Sequence, residues 1–322
     1  MQRIKVAVLR GGISSESEIS FKTGKSVLDN LPDKYIPVDV FISKDGEWHI
    51  DGVPVTMQKV FQSVDVVFNA LHGEFGEDGK LQRILDHSGV KYTGSRALAS
   101  AIGMNKVMAK EIFSSFGIKT PVFKVFKNID NVQDLSHTIF KTFPMPAIIK
   151  PNGSGSSVGV SLVSKISDIG PAIENALKHS DMVMVEEFIS GREATCGVID
   201  EFKGKKVYSL LPVEIIKPKE NTFFDFDAKY SGKSKEICPG NFSKKESGTI
   251  QDMAIKAHQA LGLRHYSRSD FIVNPKRGIY ILEVNTLPGL TKESLLPKSL
   301  EATGTSLPHF LDHIITVALK NK

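Results

Sequence analysis

Two carboxylates, a guanidinium and a carboxamide occur at strand spacing near the end of this 322-residue chain. The segments SRSDFIV and IYILEVN have the composition of β-strands, and the NPKRG between them is a turn signal. Because side chains alternate between the faces of a strand, Arg268 and Asp270 share one face, as do Glu283 and Asn285. A symmetric hairpin places Asp270 opposite Glu283 and Arg268 opposite Asn285, about 5 Å apart at Cβ. This combination of side chains is typical of a magnesium–phosphate site.

The alternative interpretation is that these polar residues form the solvated face of an amphipathic hairpin, which is the commoner meaning of such alternation. Two observations favour the metal site. Like charges that oppose each other directly across a sheet are destabilising unless positive charge lies between them. The other residues of both strands are mainly apolar, which predicts a buried sheet.

A loop rich in glycine and serine, residues 153–159, follows a predicted strand that ends at Lys150. Glycine lets the backbone approach a ligand closely, and successive N–H groups can form a nest for an anion. The loop leads into the strand VGVSLV, so neither the P-loop nor the dinucleotide-binding pattern applies. We therefore predict a loop between antiparallel strands that folds over phosphates, with Lys150 and Lys106 neutralising them. A flexible hairpin with a surface lysine is the structural alternative.

Carboxylates near two other strand ends are further candidates. Glu16 lies in the turn after the first strand, where Ser15 and Glu18 match a helix capping box that does not require Glu16. Glu16 could therefore face a cleft. Glu186 and Glu193, in EEFISGRE, follow a buried strand and could accept hydrogen bonds from adenine or ribose, although such carboxylates more often cap or solvate the chain.

The order of the predicted elements indicates several domains. Strand–loop–helix alternation over residues 1–94 predicts a doubly wound, Rossmann-like α/β domain with functional loops at the carboxyl ends of its strands. Residues 95–185 follow an α+β pattern. Residues 186–322 contain the hairpin and a long irregular stretch, residues 218–243, and stretches of that length are usually lids or disordered.

Composition narrows the classes of function. The net charge is +5, but the lysines are scattered and show no nucleic-acid footprint. Two cysteines, Cys196 and Cys238, exclude a disulfide framework and fit a reducing compartment. The sequence has no signal-peptide pattern and no apolar run near the roughly 20 residues of a membrane helix. We therefore expect a cytoplasmic protein without nucleic-acid or membrane partners.

Eight segments, distributed over nearly the whole chain, occur in a defined order: GGISSESEIS, LHGEFGEDGKLQ, GMNK, IIKPNGSGSSVGV, EEFISGRE, FFDFDAKY, SRSDF and LEVNTLPGLTKESLLP. Together they resemble the D-alanine–D-alanine ligase family of the ATP-grasp superfamily. The resemblance implies a three-domain ATP-grasp fold. In it, residues 1–94 bind substrate, residues 95–185 form the small domain with the glycine-rich lid loop, and residues 186–322 carry the metal site and the lid at 218–243.

The resemblance also implies an activity, the ATP-dependent ligation of two D-alanines through an acyl-phosphate and a tetrahedral intermediate. The dipeptide serves peptidoglycan precursor synthesis. Catalysis of phosphoryl transfer depends chiefly on positioning and charge neutralisation. By resemblance, two Mg²⁺ ions, which Mn²⁺ could replace, are held by Asp270, Glu283 and Asn285. The residues expected to contact the phosphates are Lys106, Lys150 and Ser157, and those expected to hold adenosine are Glu186, Phe188, Glu193 and Phe223.

For the amino-acid substrates, the resemblance implies that Glu16 binds the ammonium of the first D-alanine and is linked to Ser156 and Tyr230. Arg268 and the Gly289 N–H are expected to stabilise the tetrahedral oxyanion. Other substrate-binding roles are expected for His72, Lys229, Ser294 and the Leu295 backbone, the last two receiving the carboxylate of the second D-alanine.

Three further expectations concern the acceptor, the alternatives and the assembly. The resemblance implies that Tyr230, where ligases that use D-lactate tend to have a histidine, favours an amine as acceptor, which leaves D-serine open as the second substrate. The alternative functions are a related ATP-grasp ligase with D-serine or D-lactate as acceptor, and a non-catalytic nucleotide-binding protein. We expect D-alanine as the small-molecule partner and a homodimer as the assembly.

Overall fold

A computed structural model describes residues 3–153, 158–216 and 235–320, and within these ranges the strands form three sheets. The elements of the amino-terminal sheet are β1 (Ile4–Gly11), α1 (Ser17–Asn30), β2 (Tyr35–Ile42), β3 (Trp48–Ile50), β4 (Val53–Val55), α2 (Met57–Ser63), β5 (Val66–Asn69), α3 (Lys80–Ser88) and β6 (Lys91–Tyr92). The strand order is β4-β3-β2-β1-β5-β6, and β2, β1, β5 and β6 are parallel.

Strand β1 is buried on both faces, as its continuous apolar sequence predicts. Val6 and Val8 pack with Val27 of α1 and with a carboxyl-terminal helix, whereas Ala7 and Leu9 pack with residues of α2 and α3. Helices therefore cover both faces of the sheet, and the predicted doubly wound arrangement is confirmed.

The central sheet is antiparallel. The elements of this part are α4 (Ala97–Met104), α5 (Lys106–Ser115), β7 (Phe123–Lys127), α6 (Val132–Thr142), β8 (Ala147–Pro151), β9 (Ser161–Val163), α7 (Ile166–Leu177) and β10 (Met182–Glu187). The strand order is β7-β10-β8-β9. Strands β8 and β9 pair antiparallel, so the glycine-rich loop connects antiparallel strands as predicted, although residues 154–157 lie outside the described ranges.

The third sheet contains the predicted hairpin. Its elements are β11 (Arg192–Asp200), β12 (Val207–Ser209), β13 (Val213–Ile216), β14 (Lys235–Ile237), α8 (Lys244–Ala260), β15 (Tyr266–Asn274), β16 (Gly278–Asn285), α9 (Leu295–Ala302) and α10 (Leu307–Lys320). The strand order is β14-β13-β11-β15-β16, with β12 beside β11. Helices α4 and α5 pack into the core between α8 and this sheet, so they link it to the central part of the chain.

Several elements were missed from the sequence, namely β3, β4, α2, α6 and β14, the last of which lies within the stretch 218–243 that was predicted to be irregular. Strands β3 and β4 are joined by Asp51 and Gly52, which both have positive φ. This Asp-Gly pair is a strong hairpin signal, but three-residue strands are too short to show a clear alternation. Within the described ranges, no helix is long and apolar enough to cross a membrane.

A buried polar cluster joins the third sheet to α8 and α10. The Asp200 carboxylate accepts a 2.6 Å hydrogen bond from the His265 N–H and lies 3.2 Å from Nε2 of His258. The second His258 nitrogen is 2.8 Å from the Ser267 hydroxyl, and the ring of His313 contacts the Asp200 carbonyl. Burial alone raises the pKa of Asp200, but the hydrogen bond and charge of His258, together with the His265 backbone N–H, lower it below its ordinary value.

We expect Asp200→Asn to lower the stability of the protein by about 2 kcal/mol at pH 7, the usual cost of losing hydrogen bonds to a charged group. Because the pKa of Asp200 is lowered by folding, its contribution is full above the unfolded value of roughly 4 and is lost as the pH falls through the folded value. Thermal unfolding at pH 7 and below pH 4 measures the difference. The control is Asp29→Asn, a change at an exposed position. Equal melting temperatures of Asp200→Asn and the unmodified protein at pH 7 would contradict the prediction.

Candidate active site

A cleft of about 920 Å³ opens where loops and strand ends of all three sheets meet. Every predicted site residue within the described ranges lines it. These residues are Glu16, His72, Lys106, Lys150, Glu186, Phe188, Glu193, Arg268, Asp270, Glu283, Asn285, Gly289, Ser294 and Leu295. The predicted residues Ser156, Ser157, Phe223, Lys229 and Tyr230 lie outside the described ranges.

The hairpin β15–β16 has the predicted cross-strand pairs, with Asp270 opposite Glu283 and Arg268 opposite Asn285. The assumption of a symmetric hairpin was nevertheless wrong. Nearer the turn Phe271 pairs with Ile281, so β16 contains one extra residue, Leu282. Without this β-bulge, the register at the turn would have placed Leu282 opposite Asp270.

The bulge changes which residues face the cleft. Ile281 packs in the core, whereas the two residues that follow it, Leu282 and Glu283, both line the cleft. A bulge interrupts the alternation of side chains in this way because two residues of one strand oppose a single partner residue. The insertion therefore brings the second carboxylate to the same face as Asp270.

The Asp270 carboxylate is held by three neighbours. Nε and an Nη of Arg268 donate 3.0 Å hydrogen bonds to its two oxygens. The Thr195 hydroxyl donates at 2.6 Å to Oδ1, and the Asn285 amide donates at 3.1 Å to Oδ2. These contacts fix both the carboxylate and the plane of the Arg268 guanidinium at the cleft wall.

The second carboxylate, Glu283, lies 3.0 Å from Nζ of Lys106, which begins α5. Each carboxylate of the opposed pair thus has a cationic partner, Arg268 for Asp270 and Lys106 for Glu283. Among the described residues, no group of three or more His, Cys, Asp or Glu side chains is arranged so that it could hold a metal ion by itself. Two carboxylates and one carboxamide form a small oxygen donor set, which fits Mg²⁺ because that ion commonly keeps several waters and binds substrate phosphates.

Glu186 anchors two lysines in the wall of the cleft. Nζ of Lys150, the last residue but one of β8, lies 3.0 Å from its Oε2, and Nζ of Lys110 from α5 lies 2.7 Å from the same oxygen. All three side chains are buried, at 8% exposure or less. Burial alone raises the pKa of Glu186, but the two ammonium groups lower it below its ordinary value, so the carboxyl is ionised.

Apolar side chains adjoin this charged group. A small apolar cluster consists of Ile189, Ile272, Tyr280 and Leu282. All of these except Tyr280 also line the cleft. Phe188 and Glu193 lie along the same wall. An apolar surface beside a few polar groups is the usual composition of a site for a planar ligand such as a nucleotide base.

Glu16 in the loop after β1 and His72 in the loop after β5 also line the cleft. Helix α1 begins at Ser17 with Glu16 at the N-cap, and no side-chain capping hydrogen bond is present. The capping box predicted from Ser15 and Glu18 was therefore wrong. The Ser14 hydroxyl instead accepts a 3.1 Å hydrogen bond from the Glu16 N–H and donates at 2.6 Å to the His72 carbonyl, joining the two loops.

His72 is buried and lies 2.8 Å from the Thr23 hydroxyl through Nε2. Burial lowers its pKa to about 4, and the positive charge of Arg268 acts in the same direction. The imidazole is consequently neutral at physiological pH. It can accept or donate a hydrogen bond in the cleft but does not supply a positive charge.

Glu77 is a residue that the sequence interpretation missed. Its carboxyl accepts hydrogen bonds from the N–H groups of Gly73 (2.7 Å) and Leu287 (3.2 Å), and so joins the amino-terminal loop to the segment after β16. Burial raises its pKa to about 8, with a further contribution from the charge of Glu16. Gly73 has a φ of 72°, a backbone conformation that L side chains rarely adopt, and an added Cβ would lie 2.8 Å from a Glu16 oxygen.

Gly289, Ser294 and Leu295 lie together at the start of α9. An added Cβ at Gly289 would lie 2.9 Å from the Ser294 hydroxyl, so the backbone of one residue approaches the side chain of the other closely. Ser294 is the N-cap and Leu295 is the first residue of the helix. Backbone N–H groups at the beginning of a helix are favourable partners for a carboxylate.

Lys110 and Thr195 were also missed by the sequence interpretation. Lys110 follows Lys106 by four residues, a helical spacing that places both on one face and could have indicated a shared function. Thr195 contacts Asp270 across the pairing of β11 with β15. That pairing joins segments far apart in sequence, and we find no local signal for it.

Two family models match the chain. The model described as "D-ala D-ala ligase N-terminus" matches residues 5–60 and 52–95, and the model described as "D-ala D-ala ligase C-terminus" matches residues 112–316. The two matches together cover most of the sequence.

Curated relatives match over nearly full length. The chain is 36% identical to a D-alanine–D-alanine ligase of Geobacter sulfurreducens over 99% of this chain and 95% of that protein. It is 39% identical to a D-alanine–D-alanine ligase of Anaeromyxobacter sp. (strain K) over 97% of this chain and 96% of that protein.

Solved structures also match over nearly full length. The VanG D-Ala:D-Ser ligase of Enterococcus faecalis has a TM-score of 0.87 and 31% identity, covering 98% of this chain and 100% of that one. A D-alanine–D-alanine ligase of Bacillus anthracis complexed with ATP has a TM-score of 0.81 and 28% identity, covering 98% of both chains.

Proposed function

The chain belongs to the D-alanine–D-alanine ligase family, and we propose that it is an ATP-dependent ligase with the ATP-grasp fold that joins two D-alanines. The products are D-alanyl-D-alanine, ADP and phosphate, and the dipeptide serves peptidoglycan synthesis. The observation that carries this proposal is a single cleft in which the acid–acid–amide hairpin faces Glu16, His72 and the start of α9.

The first half-reaction activates a carboxylate, which is otherwise a poor electrophile. A carboxylate oxygen of the first D-alanine attacks the γ-phosphorus of ATP, and ADP leaves. Lys106 and Lys150 offer ammonium groups to the phosphates, and Phe188, Glu186 and Glu193 contact adenosine. Asp270, Glu283 and Asn285 would hold Mg²⁺, which neutralises phosphate charge when bound. The roles of Ser157 and Phe223 in binding ATP stay predictions.

The second half-reaction forms the peptide bond. The amine of the second D-alanine attacks the activated carbonyl carbon and loses a proton, and the carbonyl oxygen becomes an oxyanion before phosphate leaves. The Arg268 guanidinium and the Gly289 N–H stabilise that oxyanion, an electrostatic effect that is often the largest part of catalysis in acyl transfer. Asp270 holds Arg268 in position through two hydrogen bonds.

The two amino acids are held at opposite ends of the reacting centre. Glu16 binds the ammonium group of the first D-alanine, with the neutral His72 beside it, and Ser156 and Tyr230 are proposed to support Glu16. The second D-alanine places its carboxylate at the Ser294 hydroxyl and the Leu295 N–H, where the helix N-terminus favours negative charge. Lys229 is proposed to contact substrate.

The remaining proposals concern organisation. We propose three domains with boundaries near residues 94 and 185, each built around one sheet. Homodimerisation, a cytoplasmic location, and the use of two Mg²⁺ or Mn²⁺ ions stay predictions.

An assay of product formation tests the function and its alternative. With ATP, Mg²⁺ and D-alanine alone, we expect phosphate release and a product identified as D-alanyl-D-alanine by chiral chromatography. The similarity to the VanG structure makes D-serine the second acceptor to test, with D-lactate as the third. Phosphate release only when D-serine is added would show that D-serine, and not D-alanine, is the acceptor. No turnover with D-alanine, D-serine or D-lactate would contradict the ligase function.

A further inference from the structure

Lys110 is a buried lysine behind the cleft wall. Its side chain is 1% exposed, and its ammonium lies 2.7 Å from the Glu186 oxygen that Lys150 also contacts at 3.0 Å. The same ammonium donates a 2.6 Å hydrogen bond to the Thr120 hydroxyl, which in turn donates at 2.9 Å to the Ile281 carbonyl of β16. Lys110 thus ties the cleft wall formed by β8 and β10 to the strand that carries Glu283.

The ammonium groups of Lys110 and Lys150 share the single carboxylate of Glu186, so these three side chains together carry one net positive charge. Glu186 and Lys150 line the cleft, whereas Lys110 stands on their buried side. If Lys150 were the sole partner of Glu186, the pair would neutralise itself and hold Lys150 against the wall. The second lysine weakens that competition because it supplies part of the charge that Glu186 requires.

The charge of Lys110 is maintained by its surroundings near neutral pH. Burial lowers the pKa of its ammonium to about 8, while the adjacent carboxylate of Glu186 acts in the opposite direction. The other charged groups that face it are Lys150 on β8, which lowers the pKa, and Glu283 on β16, which raises it. The group is therefore mainly protonated at pH 7.

We propose that Lys110 is a positioning residue for ATP, which holds the Glu186 carboxylate in place and leaves the Lys150 ammonium able to bind the nucleotide. This inference rests on the proposed function, in which Glu186 and Lys150 contact ATP. Lys110 acts through Glu186 and does not touch the nucleotide. Its effect should therefore appear in nucleotide binding and disappear when the charge of Glu186 is removed.

The variant Lys110→Met, which keeps the length of the side chain and removes its charge, tests the proposal. We expect the Kd for ADP, measured by calorimetry without D-alanine, and the KM for ATP to rise about tenfold, as for the loss of one partner from a buried charged network. The KM for D-alanine should change by less than about twofold because the amino-acid site is not touched. The control Ile139→Val shortens a buried side chain of α6 that packs in the core beside β8 and β10, and it should leave all three constants unchanged.

A double-mutant cycle separates positioning from general destabilisation. Glu186→Gln should weaken ADP binding by itself, and adding Lys110→Met to it should change the Kd by less than about twofold, since residues that act through one another are not additive. Equal effects of Lys110→Met in both backgrounds would overturn the proposal. So would an ADP affinity in the single variant equal to that of the unmodified protein.

Thr120→Val provides a second test if Lys110→Met does not fold. It removes the hydroxyl that joins Lys110 to β16, and we expect about threefold weaker ADP binding, whereas unchanged binding would overturn the proposal. ADP binding is measured independently of ligation. Failure of the unmodified protein to make dipeptide would refute the ligase function, while unchanged ADP affinity in these variants would refute only the role of Lys110.

Discussion

Replacing Glu283 with alanine is expected to lower turnover about 10³-fold, because a metal ion that neutralises phosphate charge contributes several kcal/mol to catalysis. Glu283 lies opposite Asp270 and lines the cleft, and its carboxylate is 3.0 Å from Nζ of Lys106. The variant should also lose the increase in ADP affinity that Mg²⁺ produces. Steady-state turnover and titration of ADP with and without Mg²⁺ measure the two effects.

The control for this variant is Asp29→Ala, which also removes a carboxylate paired with a lysine but on an exposed helix face. It should retain full activity and the normal response to Mg²⁺. If Glu283→Ala remained as active as the unmodified protein, the proposed metal site would be wrong. If the variant were inactive but its ADP affinity still rose with Mg²⁺, the carboxylate would act elsewhere in the reaction.

Replacing Arg268 with methionine is expected to lower kcat by about 10²–10³-fold, the usual cost of removing one group that stabilises an oxyanion. The guanidinium is held by both oxygens of Asp270, so it is oriented before the substrate binds. The KM for ATP should change little, because the loss concerns charge that develops after phosphoryl transfer. Single-turnover measurements should show dipeptide formation slowed far more than ADP formation.

The same hairpin offers a matched control, Arg277→Met. Arg277 also forms two hydrogen bonds with a carboxylate, that of Glu187, but its side chain is 47% exposed. We expect its kcat to be unchanged. Equal losses of kcat in Arg268→Met and Arg277→Met would indicate damage to the hairpin. A normal kcat in Arg268→Met would show that Arg268 does not stabilise the oxyanion.

Local sequence patterns predicted the parts of the site that lie on regular elements. The hairpin could be recognised because its two strands are adjacent in sequence and a turn signal separates them, so Asp270 and Glu283 were paired correctly. The β-bulge at Leu282 could not be recognised. A bulge is set by how both strands pack into the rest of the sheet, and alternation in one strand does not reveal an inserted residue.

The buried partners of the site were harder to predict. Glu77 lies in a loop, and its raised pKa results from burial among groups that are distant in sequence, including Glu16. Lys110 would ordinarily be taken as a surface lysine of a helix, since lysine is rarely buried without a partner. Its partner, Glu186, is contributed by another element, and the contact exists only in the folded protein.

The amino-acid sequence by itself determined the doubly wound amino-terminal sheet, the hairpin with its opposed carboxylates and, through eight ordered segments, the family. Short-range periodicity and motif spacing suffice for these features because each depends on residues close together in the chain. Only the tertiary structure decided that Glu16, His72, Glu186 and the start of α9 surround the same cleft. These groups come from different sheets, and their charges, exposure and pKa values depend on long-range packing that removes water from around them.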